Sequence, residues 1–378
     1  MNQELTYWIA LAHTPKMWTA RKNEIVAFCF QQGKTVVDFF TSDTFMGMEL
    51  ASQEKELLRR TKAELPNYAF MVEELLNQGY DIIPVTSKEY SPTLKSNLKY
   101  NSPIVLYTKG NKQILQEKSI AIVGSRNANE TSLQFTDNVA KKASKEFKIV
   151  VSGFAKGVDK QALDSAIAHK GQSIIVLPQG ITTFGSGMKK YYKQIIEGDV
   201  LVLSTFHPKL PWSVDLAMAR NSIIYGLASE IFAAQSDEKG GTWSGVTEGL
   251  KKGRKVFVRK PEKNEKCANM TLIAMGASPV DIEGNEIQTI QDSTIDTQLK
   301  IGVPASNNDI EDEIFRLLNK GAFSSKQIID QLNLTGYSTQ KMTSILSKMK
   351  NINKKKEGKS FIYYIPSATH TAQLSLVM

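Results

Sequence analysis

The chain has 378 residues, with 47 Lys and Arg against 38 Asp and Glu, for a formal net charge of +9. That length carries two or three domains with a sizeable core, and the basic balance points to nucleic acid or another anionic surface as partner. Cys29 and Cys267 lie far apart with no CxxC, which argues against a disulfide scaffold or a cysteine-zinc site; no apolar run approaches about 18 residues, so the chain reads as cytoplasmic, without signal peptide or membrane span.

Residues 1–79 carry helical spacings. Leu5, Trp8, Ile9, Leu11 and Ala12 set the first, and Thr14-Pro15 and Gln32-Gly33 break the pattern into short helices. Residues 54–60 and 70–78 continue it, with Gly79 as a stop. This helical domain suits packing or protein contact, with DNA contact as the alternative. Residues 80–85 and 104–107 then read as strands around a loop with Pro92.

From residue 119 the alternation is regular. Strands are expected at 119–123, 149–152, 173–177, 200–204, 230–234 and 255–258. Helices are expected between them at 132–145, 160–169, 188–197, 214–227 and 243–252, with a short one at 269–275. Such alternation implies a mainly parallel sheet covered on both faces. The domain so defined runs over 80–283. A polar linker, 284–308, follows. Residues 309–366 show three short amphipathic helices and a hairpin with Lys354-Lys355-Lys356, a winged-helix pattern, before a tail at 367–378. The lysines of this module (341, 348, 350, 354–356 and 359) suit a duplex or strand contact, a solvated wing or a dimer contact.

The chemistry gathers at the ends of the strands. Gly124-Ser125-Arg126 ends one strand: the Gly admits a close phosphate, Ser125 offers a hydroxyl and Arg126 a planar fork. Gly-Ser alone is also ordinary turn chemistry. Ser152-Gly153-Phe154-Ala155-Lys156-Gly157 ends the next strand, and Asp159 reads as the N-cap of the following helix, a structural role. Arg220 and Asn221 interrupt an apolar helix, on a solvated face or facing a cleft. Gly240-Gly241-Thr242 opens the helix that carries Glu248. Four such connections at one edge of one sheet describe a groove of donors and cations, an anion cradle. Phe154, Phe184, Trp212 and Trp243 are candidates for base stacking, or for packing.

No catalytic set stands out. His13, His169, His207 and His370 have no metal-ligand spacing, and GxSxG, Walker A and GxGxxG sequences are lacking, so neither metal nor cofactor is expected.

The order of motifs resembles the bacterial DNA-processing protein DprA (Smf) family. The pieces that carry the resemblance are Ala121-Ile122-Val123-Gly124-Ser125-Arg126, residues 151–159, residues 220–227, Gly240-Gly241-Thr242 and residues 269–277. It implies an extended Rossmann-like α/β fold with a mainly parallel sheet, an N-terminal helical domain and a C-terminal winged helix. It implies a non-catalytic single-stranded DNA binder that forms homodimers and helps load RecA recombinase during natural transformation or recombination. By motif, Gly124, Ser125, Arg126, Ser152, Gly153, Phe154, Ala155, Lys156, Gly157, Arg220, Asn221, Gly241 and Thr242 would hold the phosphates. Lys156 stands where Arg is common, Leu163 where a His is usual, and Ser222 replaces the second Arg of Arg-Asn-Arg. Two other functions stay open. One is a nucleotide phosphoribohydrolase-like enzyme using Glu248; the other is a nucleotide-sensing defence module.

Overall fold

The computed structural model describes residues 2–287 and, beyond them, 314–315, 317–318, 321–332, 334, 338–347, 349, 352–357 and 360–365. The chain forms two compact units, residues 1–289 and 290–378.

The first unit opens with helices α1 (Asn2–His13), α2 (Thr19–Gln31), α3 (Val36–Thr41), α4 (Ser52–Ala63) and α5 (Leu65–Asn77). The stops expected at Thr14-Pro15, Gln32-Gly33 and Gly79 fall one to two residues beyond the observed helix ends. Gly79 adopts φ 72°, the left-handed conformation that terminates a helix without a Cβ penalty. After strand β1 (Asp81–Pro84) comes a helix that was expected to be loop, α6 (Pro92–Leu98). Pro92 sits in its first turn, where no backbone N–H is needed, and the Ser91 hydroxyl accepts from the Leu94 N–H at 3.3 Å.

The alternation then runs β2 (Val105–Lys109), β3 (Ser119–Val123), α7 (Glu130–Lys145), β4 (Ile149–Ser152), α8 (Val158–Ala168) and β5 (Ser173–Val176). It continues with α9 (Gly185–Lys190), α10 (Tyr192–Glu197), β6 (Val200–Ser204), α11 (Val214–Leu227), β7 (Glu230–Ala233), α12 (Gly241–Lys251), β8 (Lys255–Arg259), α13 (Asn269–Ala274) and β9 (Ser278–Val280). The single helix expected over 188–197 is two, α9 and α10, with the break at Tyr191. That residue is buried, its hydroxyl donates to Asp164 Oδ1 at 2.5 Å, and its ring meets Phe154 edge-on. Strand β9, three residues with a proline, lies below the length at which alternation is legible; it is recognisable by its pairing with β8.

The nine strands lie in the order β1-β2-β6-β5-β4-β3-β7-β8-β9. Pairing is parallel from β6 through to β9, and antiparallel for β1 with β2 and β2 with β6. Strands β3, β4, β5 and β6 are buried at every residue, as continuous β-branched runs covered on both faces must be. Helices α7 and α8 pack side by side on one face over Ile120, Ile122 and Val150. The other face carries α11, α12 and α6, and its core runs on without interruption into Ile9, Leu11, Phe39, Leu58 and Leu75 of the N-terminal helices. The chain leaves β3 toward β4 on one side and returns to β7 on the other. The connections that leave the C-terminal ends of β3 and β7 therefore run to helices on opposite faces, α7 and α12, and a crevice lies where they part.

The second unit has a short strand β10 (Phe323–Ser324), helices α14 (Ser325–Gln331) and α15 (Thr339–Leu346), and a hairpin of β11 (Asn353–Glu357) and β12 (Ser360–Tyr364). The strands pair antiparallel in the order β10-β12-β11. Ser324 and Gln327 close a capping box on α14, and Ile314, Leu317, Leu318, Ile328, Met342, Leu346 and Tyr363 form the core. Most of the first helix expected here, the linker from 288 to 308, the tail 367–378, and Lys348, Lys350 and Lys359 lie outside the described residues. No helix among the described residues is long and apolar enough to cross a membrane.

Candidate functional site

Two adjoining hollows open at the C-terminal edge of the parallel sheet. The larger, about 390 Å³, lies between the ends of β3 and β7 and the body of α11. The smaller, about 350 Å³, lies between the ends of β4 and β5 and the segment before α11. They share Arg126, Ala155, Ala217 and Arg220. The crevice predicted by strand order and the cradle predicted by motif are the same place.

The expected site residues separate into those on the surface of these hollows and those beneath it. Gly124, Ser125 and Arg126 follow β3. The Ser125 N–H is tied to the Gln235 carbonyl at 2.9 Å, which joins the β3 and β7 ends, while its hydroxyl accepts from the Asn127 N–H at 3.1 Å. Arg126 is exposed, with no hydrogen bond or ion pair among the described residues. Asn221, on α11, lies against the Gly241 backbone in the larger hollow; Gly241 and Thr242 begin α12, whose first N–H groups have no side-chain cap. A helix N-terminus of this kind favours an anion. Ala155 lines both hollows, and Gly153, Phe154 and the exposed Lys156 line the smaller.

Ser152 and Gly157 line neither hollow. The Ser152 hydroxyl is fully buried and donates to the Ile122 carbonyl at 2.9 Å, so it joins β4 to β3 and faces away from any ligand in the crevice. Gly157 has φ 83°, and a Cβ there would fall 2.4 Å from the Ser125 carbonyl oxygen. Its lack of a side chain lets the β4 loop close onto the β3 loop.

Arg220 is the buried hinge between the two hollows. Its side chain is 4% exposed and its Nη1 donates to the Val176 carbonyl at 3.2 Å. Nη1 also stands 3.9 Å from Asp159 Oδ2, and the buried Nε has no hydrogen-bond partner. Gly153 makes this position available, since a Cβ there would lie 1.3 Å from Nη1. Burial lowers the pKa of the guanidinium, and Asp159 opposes that shift. The guanidinium is thus a buried cation with its Nε–H unpaired, on the wall that the two hollows share.

Asp159 is the main correction at the site. Helix α8 begins at Val158 and its N-cap is Gly157, so Asp159 lies inside the first turn. Its side chain is turned into the larger hollow, where the backbone at Gly153 and Ala155 hydrogen-bonds it. Burial raises its pKa, against the pull of Arg220, of those backbone groups and of Arg126. Capping preference predicted a carboxylate turned back on its helix; the left-handed Gly157 has taken the cap position and freed it.

Five further contributors lie on two loops. Lys239 and Asp237, both exposed, line the larger hollow from the loop after β7. Pro178, Gln179 and Thr183 line the smaller from the loop after β5, legible only as another strand end. Of the aromatic candidates, Trp212 is 51% exposed on the wall of the smaller hollow. Phe184 is buried, and Phe154 stands on it edge-on at 5.2 Å. Phe154 itself has φ 62°, a conformation costing a non-glycine residue on the order of 1–3 kcal/mol and concentrated at functional loops. Trp243 is half-buried against the core. Glu248 lines neither hollow and pairs at the surface with Lys252 at 2.6 Å. Among the described residues no group of three or more His, Cys, Asp or Glu is placed to hold a metal ion.

A family model described as DNA recombination-mediator protein A matches residues 81–291, more than half of the chain. DNA processing protein DprA of Streptococcus pneumoniae is 31% identical over 159 residues, covering 42% of this chain and 56% of that protein. DNA processing protein DprA of Bacillus subtilis is 31% identical over 182 residues, covering 48% and 60%. The matches thus span under two thirds of either relative. The X-ray structure of the Streptococcus pneumoniae protein superposes with a TM-score of 0.61 at 22% identity, over 73% of this chain and 94% of that one, a likeness of fold.

Proposed function

The chain belongs to the DNA recombination-mediator protein A family, and we propose that it is a non-catalytic, cytoplasmic binder of single-stranded DNA that protects incoming or recombining strands and assists loading of RecA recombinase, as a homodimer. The observation that carries this reading is the crevice. Arg126, Lys156, Arg220 and Lys239 converge on two hollows in a row, joined through Arg126 and Arg220. A single cofactor would use one hollow; a strand uses consecutive ones. Phosphates sit on Arg126, Arg220 and the α12 N-terminus while a base rests on Trp212. The site residues proposed to contact the strand are Gly124, Ser125, Arg126, Gly153, Phe154, Ala155, Lys156, Arg220, Asn221, Gly241 and Thr242; Ser152 and Gly157 shape the loops that present them. The names of the relatives support the DNA-processing role, and the family description supports the recombination partner. The division of the chain at 79, 283, 308 and 366 is part of this proposal.

The test is binding of a fluorescent dT20 at several salt concentrations. Arg126→Ala removes an exposed cation that holds no structural bond. It should weaken binding across all sequences by about ten-fold and lower the salt slope by about one, without changing stability. Unchanged affinity and slope would dismiss the cradle assignment.

A further inference from the structure

A further hollow of about 440 Å³ lies on the N-terminal part of the first unit and shares no lining residue with the crevice. One side is a stripe of α2, formed by Asn23, Val26, Ala27 and Phe30 at the i, i+3, i+4 and i+7 spacing of one helix face. The other is the end of β1 at Val85, with Lys95 of α6 and the turn at Lys99 and Tyr100. Val26 and Val85 at its floor belong to the core, yet the two rings beside them stand in water: Phe30 is 82% exposed and Tyr100 58%. The turn is held in place. The Asn23 amide donates to the Tyr100 and Ser102 carbonyls at 2.8 Å each. Lys99 keeps φ 51°, a left-handed value that a non-glycine residue retains only where its surroundings impose it. Lys95 Nζ donates to the Val85 carbonyl at 3.1 Å, and Lys99 is exposed. These two lysines are the charged residues of the lining, which has no carboxylate.

We propose that this groove docks a short acidic segment of a partner protein, with an apolar side chain seated between Phe30 and Tyr100 and a neighbouring Asp or Glu paired with Lys99 or Lys95. The lysines set the sign of the occupant: two ammonium groups with no opposing carboxylate favour an anion. The floor sets its class. A nucleobase would bring ring nitrogens and carbonyls onto Val26, Ala27 and Val85, whose side chains offer them no hydrogen bond, and the Asn23 amide is already engaged by the Thr19, Tyr100 and Ser102 carbonyls. An apolar side chain buries the same floor without that cost, and the two exposed rings close over it. Peptide recognition in a groove beside a helix uses an apolar anchor of this kind.

The test is selection of short peptides from a random display library on the full chain, followed by fluorescence anisotropy of the most enriched one. Enriched peptides should carry Phe, Trp, Leu or Ile within about three residues of Asp or Glu. Phe30→Ser and Lys99→Glu alter exposed residues, and each should weaken binding of the selected peptide by about ten-fold or more while dT20 binding stays as in the wild type. No enrichment, enriched peptides without Asp or Glu, or a peptide whose affinity either variant leaves unchanged would overturn the proposal. A comparable loss of dT20 affinity in Phe30→Ser would assign the groove to a base of the strand, and a shift from dimer to monomer in sedimentation of Phe30→Ser would assign it to a second copy of the chain. Either result would overturn peptide docking.

Discussion

Gly153→Ala probes the site with one methyl group. The backbone of Gly153 is not left-handed, so alanine meets no conformational penalty there, and space alone is tested. The added Cβ would lie 1.3 Å from Arg220 Nη1 and 2.2 Å from Cζ, so the guanidinium must leave its slot. Leaving forfeits the bond to the Val176 carbonyl, a charge-assisted contact of about 1.5–3 kcal/mol. It also strands Asp159, and breaking a buried pair costs about 3–5 kcal/mol. The 3.9 Å separation is long for an ion pair, so the pair contributes well below that range and the total loss is about 3 kcal/mol. In thermal denaturation this is a fall of roughly 5–10 °C. Binding of dT20 should weaken by ten-fold or more, because the hinge between the hollows has moved. Arg220→Ala removes the clashing group, so Gly153→Ala should cost far less in that background, and the double-mutant cycle should show a coupling above about 1 kcal/mol. Wild-type stability and affinity in Gly153→Ala, or additivity in the cycle, would refute the placement of Arg220.

Three other outcomes follow from the same geometry. Trp212→Ala should lower dT20 affinity by about 1–3 kcal/mol of lost stacking while leaving the denaturation midpoint in place, since the ring is half exposed; titration of dT20 into the variant checks this. Asn269→Ala should destabilise by about 2–3 kcal/mol in urea denaturation, because Asn269 donates to the Ala234 and Arg259 carbonyls and accepts from the Ser236 N–H, and only the Ala234 carbonyl keeps a second side-chain partner, Arg259 Nε. His13 has its pKa lowered to about 3 by burial, then by His207 and Lys22, and it is hydrogen-bonded to the Tyr107 hydroxyl at 2.7 Å. The unfolded chain takes up that proton near pH 6.5 and the folded chain does not, so His13 contributes stability above that pH which is lost as pH falls toward 3, at up to about 1.4 kcal/mol per unit. Denaturation midpoints measured from pH 7 to pH 4 should show this slope, and His13→Gln should flatten it.

The sequence by itself determined the alternation, and with it the sheet. Runs such as 119–123 and 200–204 are buried at every residue, and only a strand covered on both faces tolerates that. The same periodicity located the strand ends that carry Gly124-Ser125-Arg126 and Gly240-Gly241-Thr242, and marked Arg220-Asn221 as a polar break in an apolar helix, before any contact was known. Local rules failed where tertiary contacts outweighed them. Pro92 reads as a breaker yet starts α6, because a proline in the first turn gives up no bond. Residues 188–197 are helical by pattern, but the Tyr191 contacts to Asp164 and Phe154 divide them.

What only the tertiary structure decided is which side of each loop faces the crevice. Ser152 and Asp159 are seven residues apart in the same motif. The first turns its hydroxyl into the sheet, and the second turns its carboxylate into the larger hollow. The choice follows from two glycines that pack against distant partners: Gly157 closing on the Ser125 carbonyl and Gly153 admitting the Arg220 guanidinium. Neither partner is near in the chain. A sequence pattern records which residue types stand at a strand end, while the charge of the hollow they enclose depends on side chains as far apart in the chain as Arg126 and Lys239.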